Sequence, residues 1–296
     1  MKDKKENTDW VKKRFDELCD TGPSQVILDI SRYEQGHLRK VSKEYGRFVA
    51  QFKLFYDLVV EITRRVNYIE KSNWPKHRSV QFMLIVHNLK NIYSSFDRLV
   101  KGFYEDSIVL DRPAYEAFIK VIYITCYPDD PLSVVSGRKS SSGRRFNLTN
   151  FVKDELKLDW RDYRLFSIIS HAKAYSVLTE AVRISREGQK EPITLEFKFD
   201  EKLFELGVNH IIFLLLVYLR IIVCLFTTSH NHILKKEMVE KAKELIVLRQ
   251  KSMSLHPKDY WPHVIKDTED IFKMIEEVEG GKNWKESWKN IRDRRK

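Results

Sequence analysis

Apolar residues recur every three or four positions over most of this chain, which is the spacing of one face of an α-helix. The pattern is clearest in one run of aromatic and aliphatic residues, Tyr45, Phe48, Phe52, Phe55, Leu58, Val59, Ile62 and Val66. It predicts a long amphipathic helix that ends at residues 73–75. A second long helix is predicted from about Arg78 to Leu110, and Pro113 predicts either a kink or a restart in the first turn of the next helix.

The periodicity divides the chain into three predicted parts. Residues 1–44 form peripheral N-terminal helices, 45–232 form the core of a helical bundle, and 233–296 form charged C-terminal helices with a basic tail. An apolar–polar alternation at 193–199 predicts a short strand or a β-hairpin near 190–199. Because the 296 residues include only 10 Gly and 8 Pro, long helices are favoured. We therefore expect an all-α antiparallel bundle.

The most apolar stretch, residues 206–226, is long enough to cross a bilayer. Asn209, His210 and Arg220 interrupt it, and an arginine at mid-membrane costs at least ~2.5 kcal/mol. A helix buried on all sides in the bundle explains the same composition. We expect no integral membrane span.

The net charge of +11 favours a phosphate-rich partner such as RNA, although a solvated basic surface gives the same count. Three dispersed cysteines fit a reducing compartment, and no hydrophobic stretch follows the charged N-terminus. We expect a cytoplasmic protein. The serine-rich stretch 128–147 predicts a loop that is either a plain surface insertion or an RNA-binding segment, with four cations available, Arg138, Lys139, Arg144 and Arg145.

The pair Arg164 and His171 is the strongest candidate for chemistry. Seven residues make almost two helical turns, so the two side chains share one face with Ser167 between them. A fixed cation beside a group that titrates near neutral pH can cleave a phosphodiester without a metal ion. The alternative is a structural histidine with a surface arginine.

Two further groups are candidates for a supporting shell. Arg112 and Glu116 are four residues apart and can interact on a continuous helix, although Pro113 biases Arg112 away from helical geometry. Arg220 lies in the most apolar helix and needs an acidic partner, for which Glu116 is the candidate. The chain has no Gly-rich phosphate loop, nucleophile elbow or clustered Cys/His site, so no cofactor or metal is expected.

The stretch 109–118 resembles the Arg-x-x-x-Glu helix of a widespread bacterial family of helical proteins of unknown function. Members of that family also carry a Tyr-x-x-x-Ser-x-x-x-His helix, which corresponds here to Tyr163, Ser167 and His171, and then a very apolar helix. The resemblance covers roughly residues 80–230. Such proteins are similar in layout to the HEPN superfamily, in which an arginine is followed by four to six residues and a histidine.

The resemblance implies a HEPN-like dimer that binds RNA or cleaves it without a metal, in a bacterial defence or toxin–antitoxin setting. It implies that His171 acts as general acid–base and that Arg164 stabilises charge on the phosphate. An antitoxin or regulatory protein is an expected partner besides a second copy of the chain. The alternative function is a non-catalytic interaction module whose interior polar residues fix the packing register.

Overall fold

The computed structural model describes residues 25–67, 74–129, 131–139, 143, 145–158, 199, 201–226 and 261–294. These residues form helices, and no β-sheet occurs among them, so the predicted all-α class is confirmed. The predicted hairpin near 190–199 falls on residues outside the described part, except for Phe199.

The helices follow one another along the chain with these bounds: α1 Gln25–Glu44, α2 Gly46–Asn67, α3 Lys76–Val100, α4 Tyr104–Cys126, α5 Pro131–Ser136, α6 Leu148–Asn150, α7 Glu201–Phe226, α8 Trp261–Glu279 and α9 Trp284–Asp293. A π-helical turn, Phe151–Glu155, follows α6 directly. One cluster of buried side chains includes residues from α1 through α4, α7, α8 and α9. The C-terminal helices therefore pack on the same core as the long helices before them.

A tight turn separates α3 from α4, where the sequence predicted one helix from Arg78 to Leu110. Gly102 adopts a φ of 91°, in the left-handed region that favours glycine. A side chain at this position would overlap Tyr33 and His37 of α1. The reversal lets α3 and α4 pack against each other, and Ser95 donates a 2.9 Å hydrogen bond to the carbonyl of Ser107.

Pro113 lies inside α4 without ending it. The ring removes the hydrogen bond that the carbonyl of Val109 would accept in a regular helix. Val109 and Pro113 are both exposed, so the free carbonyl lies on the solvent side of α4. The predicted restart at Pro113 is therefore wrong, because α4 is one continuous helix with the proline on its outer face.

Helix α7 supplies the centre of the bundle. Leu203–Phe226 is long and apolar enough to pass for a membrane span, but 89% of its apolar window is buried inside the protein. Gly207 allows α7 to approach the fully buried Leu99 closely, and the Tyr218 hydroxyl donates to the carbonyl of Ala114 at 2.9 Å. These contacts identify α7 as a core helix, in agreement with the expectation of no integral span.

Candidate functional site

The predicted pair on α4 forms as an ion pair. Arg112 Nε donates to Glu116 Oε1 at 2.9 Å, and the two side chains are 22% and 26% exposed. The predicted bias of Arg112 away from helical geometry is wrong, because α4 is helical through Pro113. The pair is thus held on a partly exposed side of α4.

Asp111 precedes this pair and is fully buried. Burial raises the pKa of its carboxyl to about 8, and the nearby Ser95 hydroxyl opposes part of that shift. No side chain in the described part of the chain makes a well-aligned hydrogen bond with either carboxyl oxygen. Burial therefore favours the neutral, protonated form of Asp111 in the folded protein.

Sequence reasoning did not single out Asp111. The available signal was its spacing, since it lies four residues after Ser107 and four before Tyr115, both buried. A carboxylate on that face would ordinarily be assigned to solvent, because Asp is rarely buried without a partner.

Arg220 finds its acidic partner on α8 rather than on α4. Its guanidinium pairs with Glu269 and lies 4.3 Å from the centroid of the Phe272 ring. The prediction that Glu116 is the partner is wrong, since the described contacts of Arg220 lead to α8 and Glu116 pairs with Arg112. Arg220 thereby links α7 to α8, and this is the only role that its described contacts require.

The basic loop, residues 137–147, follows α5, which is a short helix within the predicted loop 128–147. Arg138, Lys139 and Arg145 are exposed, and Lys139 and Arg145 form an isolated antiparallel bridge. The bridge places these two cations opposite each other on the loop. No carboxylate of the described residues forms an ion pair with any of the three, while Arg144 lies outside the described residues.

The candidate catalytic residues Arg164 and His171, and Ser167 between them, also lie outside the described residues. The described chain stops at Leu158 and resumes at Phe199. These two positions lie near opposite ends of α4. At one end Tyr127 donates to Glu155 at 2.5 Å, and at the other the ring centroids of Tyr104 and Phe199 are 6.5 Å apart.

Among the described residues, no group of three or more His, Cys, Asp and Glu side chains could hold a metal ion. Cys126 and Cys224 are buried, and burial raises the pKa of both thiols. Neither has the lowered pKa of a reactive cysteine.

Comparisons with family models, with curated proteins and with solved structures found no match to this chain.

Proposed function

We propose that this protein is a HEPN-like RNA-binding protein that cleaves RNA without a metal ion, with Arg164 and His171 as its catalytic residues. The observation that carries the RNA-binding part is the basic loop, which presents Arg138, Lys139 and Arg145 to solvent without acidic partners among the described residues. Cations so placed bind phosphates by displacing counterions. The catalytic part rests on the sequence spacing of Arg164 and His171.

The proposed reaction is a transesterification within the RNA strand. The 2′ oxygen of one nucleotide bonds to the adjacent phosphorus while the bond from phosphorus to the 5′ oxygen breaks, leaving a 2′,3′-cyclic phosphate and a 5′-hydroxyl. His171 accepts the proton from the 2′-hydroxyl and delivers it to the departing 5′ oxygen. Arg164 stabilises the negative charge that develops on the phosphate. No water or metal ion is consumed.

The positions at which the described chain stops and resumes favour a role for α4 beside the catalytic residues. Since the described chain stops and resumes near opposite ends of this helix, the covalent chain carrying Arg164 and His171 joins those two ends. The Arg112–Glu116 pair lies between them on the half-exposed side of α4. We propose that Ser167 and this pair flank the catalytic residues. Arg220 would contribute indirectly, through its contact with α8.

The proposal extends to partners and setting. The partners and the setting are those that the resemblance to HEPN-like proteins implies. We propose that the protein acts in the cytoplasm as a homodimer, in a bacterial defence or toxin–antitoxin system with an antitoxin or regulatory protein.

Induction in growing bacterial cells tests this function. The wild type should stop growth and fragment total RNA, whereas a His171→Ala variant at matched expression should do neither. A His87→Ala variant is the matched control, because His87 is an exposed histidine on α3 outside the proposed site. Intact RNA in all three cultures would contradict the proposed cleavage in cells.

The buried polar contacts favour a second candidate function, a non-catalytic interaction module. Gln81 is fully buried and donates to the hydroxyl of Thr125 at 2.8 Å and to the carbonyl of Val121 at 3.2 Å. Such bonds fix the register of α3 against α4, as a binding scaffold requires. Capture of a specific protein by wild type and His171→Ala alike, with RNA intact, would favour the module.

A further inference from the structure

Three exposed cations follow one another along the outer face of α1 and the start of α2. Arg39, Lys43 and Arg47 are spaced by four residues, so successive side chains are about 6 Å apart along a helix axis. We call these three residues the basic strip. It spans about 12 Å and lies opposite the buried face of α1.

The junction between α1 and α2 keeps the three cations on the same side of the two helices. Tyr45 donates its backbone N–H to the carbonyl of Val41 at 2.9 Å, and Val49 donates to the carbonyl of Tyr45 at 3.4 Å. Buried side chains continue at helical spacing through the junction, at His37, Val41, Tyr45 and Phe52. The opposite, solvent-facing positions therefore continue in phase as well.

Among the residues that the structure describes, the basic strip has no acidic partner. No ion pair joins any of its three cations to a carboxylate of the described residues. The nearest acidic residue in sequence, Glu44, lies 3.9 Å from Lys40 instead. Like charges four residues apart on a helix repel each other, and an anion bound between them reduces that repulsion.

An open depression lies beside two of these cations. Leu38, Arg39, Ser42 and Lys43 line it, which combines an apolar side chain, a hydroxyl and two cations. A polymer that carries regularly spaced anions, with less polar groups between them, fits such a lining. Among the described residues, Leu38 is the one exposed large apolar side chain that lines this depression, whereas protein interfaces usually contain a larger apolar core.

We propose that the basic strip is a second RNA-binding surface, which holds the phosphodiester backbone through Arg39, Lys43 and Arg47. This inference rests on the proposed RNA binding and adds a surface separate from the basic loop. The two surfaces lie toward opposite ends of α4. Tyr104, at the start of α4, contacts His37 of α1 at 3.2 Å, while the basic loop leads to Phe146, which packs on Tyr123. Their contributions to binding should therefore add.

The salt dependence of RNA binding tests the basic strip. The full chain carrying His171→Ala, which prevents cleavage during the titration, is measured by fluorescence anisotropy with a labelled single-stranded oligoribonucleotide. The plot of log K against log salt should become less steep by about 2 when all three cations of the strip are replaced by Gln, because each lost phosphate contact removes ~0.7. Gln has a helix propensity close to that of Arg and Lys, so the helices should be retained.

A matched variant removes three cations elsewhere. Lys273, Lys285 and Lys289 are exposed on α8 and α9, and their replacement by Gln lowers the net charge by the same amount. In this variant the slope of log K against log salt should equal that of the protein in which the strip is unsubstituted. Circular dichroism of all three proteins checks that helix content is unchanged.

Each outcome has a definite meaning. RNA binding with an unchanged slope in the strip variant overturns this inference and leaves the proposed function standing. Equal losses in both triple variants overturn it too, because the effect would be one of net charge. No RNA binding by any of the proteins overturns both proposals. Binding through the strip without any cleavage by the wild type supports the strip and contradicts the proposed catalysis.

Discussion

Replacing Asp111 with Asn should stabilise the protein at neutral pH, although the substitution lies in the middle of the core. The carboxyl is fully buried, and burial raises its pKa to about 8 from an ordinary value of 3.8. In the unfolded chain the same group is ionised above about pH 4. Folding at pH 7 must therefore bind a proton, and that requirement opposes the folded state.

The sign and the size follow from proton linkage. Because the folded pKa is the higher one, the stability is complete below pH 4 and falls as the pH rises toward 8. A pH of 7 lies about three units above the pKa of Asp111 in the unfolded chain. The free energy needed to protonate the group on folding is therefore on the order of 4 kcal/mol. Asn has the same shape and no proton to lose, so the Asp111→Asn variant escapes this loss.

Urea unfolding followed by circular dichroism, at pH 4 and pH 7, measures the difference. The free energies of unfolding of the wild type and Asp111→Asn should differ by about 1 kcal/mol or less at pH 4. At pH 7 the variant should be more stable by about 4 kcal/mol. Asp57→Asn is the control, because Asp57 is exposed on α2 and its substitution should change stability by no more than about 0.5 kcal/mol. A difference between wild type and Asp111→Asn that is equal at both pH values would refute the assignment of Asp111 as a buried neutral acid.

Two further predictions concern packing, and thermal or urea unfolding checks both. Gly207→Ala should destabilise the protein by about 1 to 3 kcal/mol, because the added methyl overlaps the buried Leu99 side chain. Gly36→Ala should stabilise it by about 0.5 to 1 kcal/mol, because a methyl at this position of α1 meets open space. Equal effects of the two substitutions would contradict the close approach of α7 to α3. Arg220→Met should lower the free energy of unfolding by about 1 to 3 kcal/mol. The double variant that also carries Glu269→Gln should lose less stability than the sum of the two single losses. Strict additivity would show that the pair does not form.

The helices that sequence analysis predicted best are those whose apolar positions face one core. Phe52, Phe55, Val59 and Ile62 recur at helical spacing and are all buried on α2. The turn at Gly102 was missed because apolar spacing continues on both sides of it. Its cause is tertiary, since the side chains of α1 occupy the space that a Cβ at Gly102 would need.

Polar contacts within one helix were predictable, whereas those between distant helices were not. The Arg112–Glu116 pair was predictable because its partners are four residues apart on one helix. The partner of Arg220 was not, because Glu269 belongs to a helix 49 residues further along the chain. Local spacing carries no information about which helices become neighbours, so contacts between distant helices needed the structure.

Incubation of the purified protein with single-stranded RNA in EDTA tests the central claim most directly. The wild type should produce fragments that end in a 2′,3′-cyclic phosphate, and His171→Ala and Arg164→Ala, purified in parallel, should lose this activity by at least ~100-fold. His87→Ala should cleave like the wild type. RNA that stays intact with the wild type, or that is cut equally by His171→Ala, would contradict metal-independent cleavage at this site.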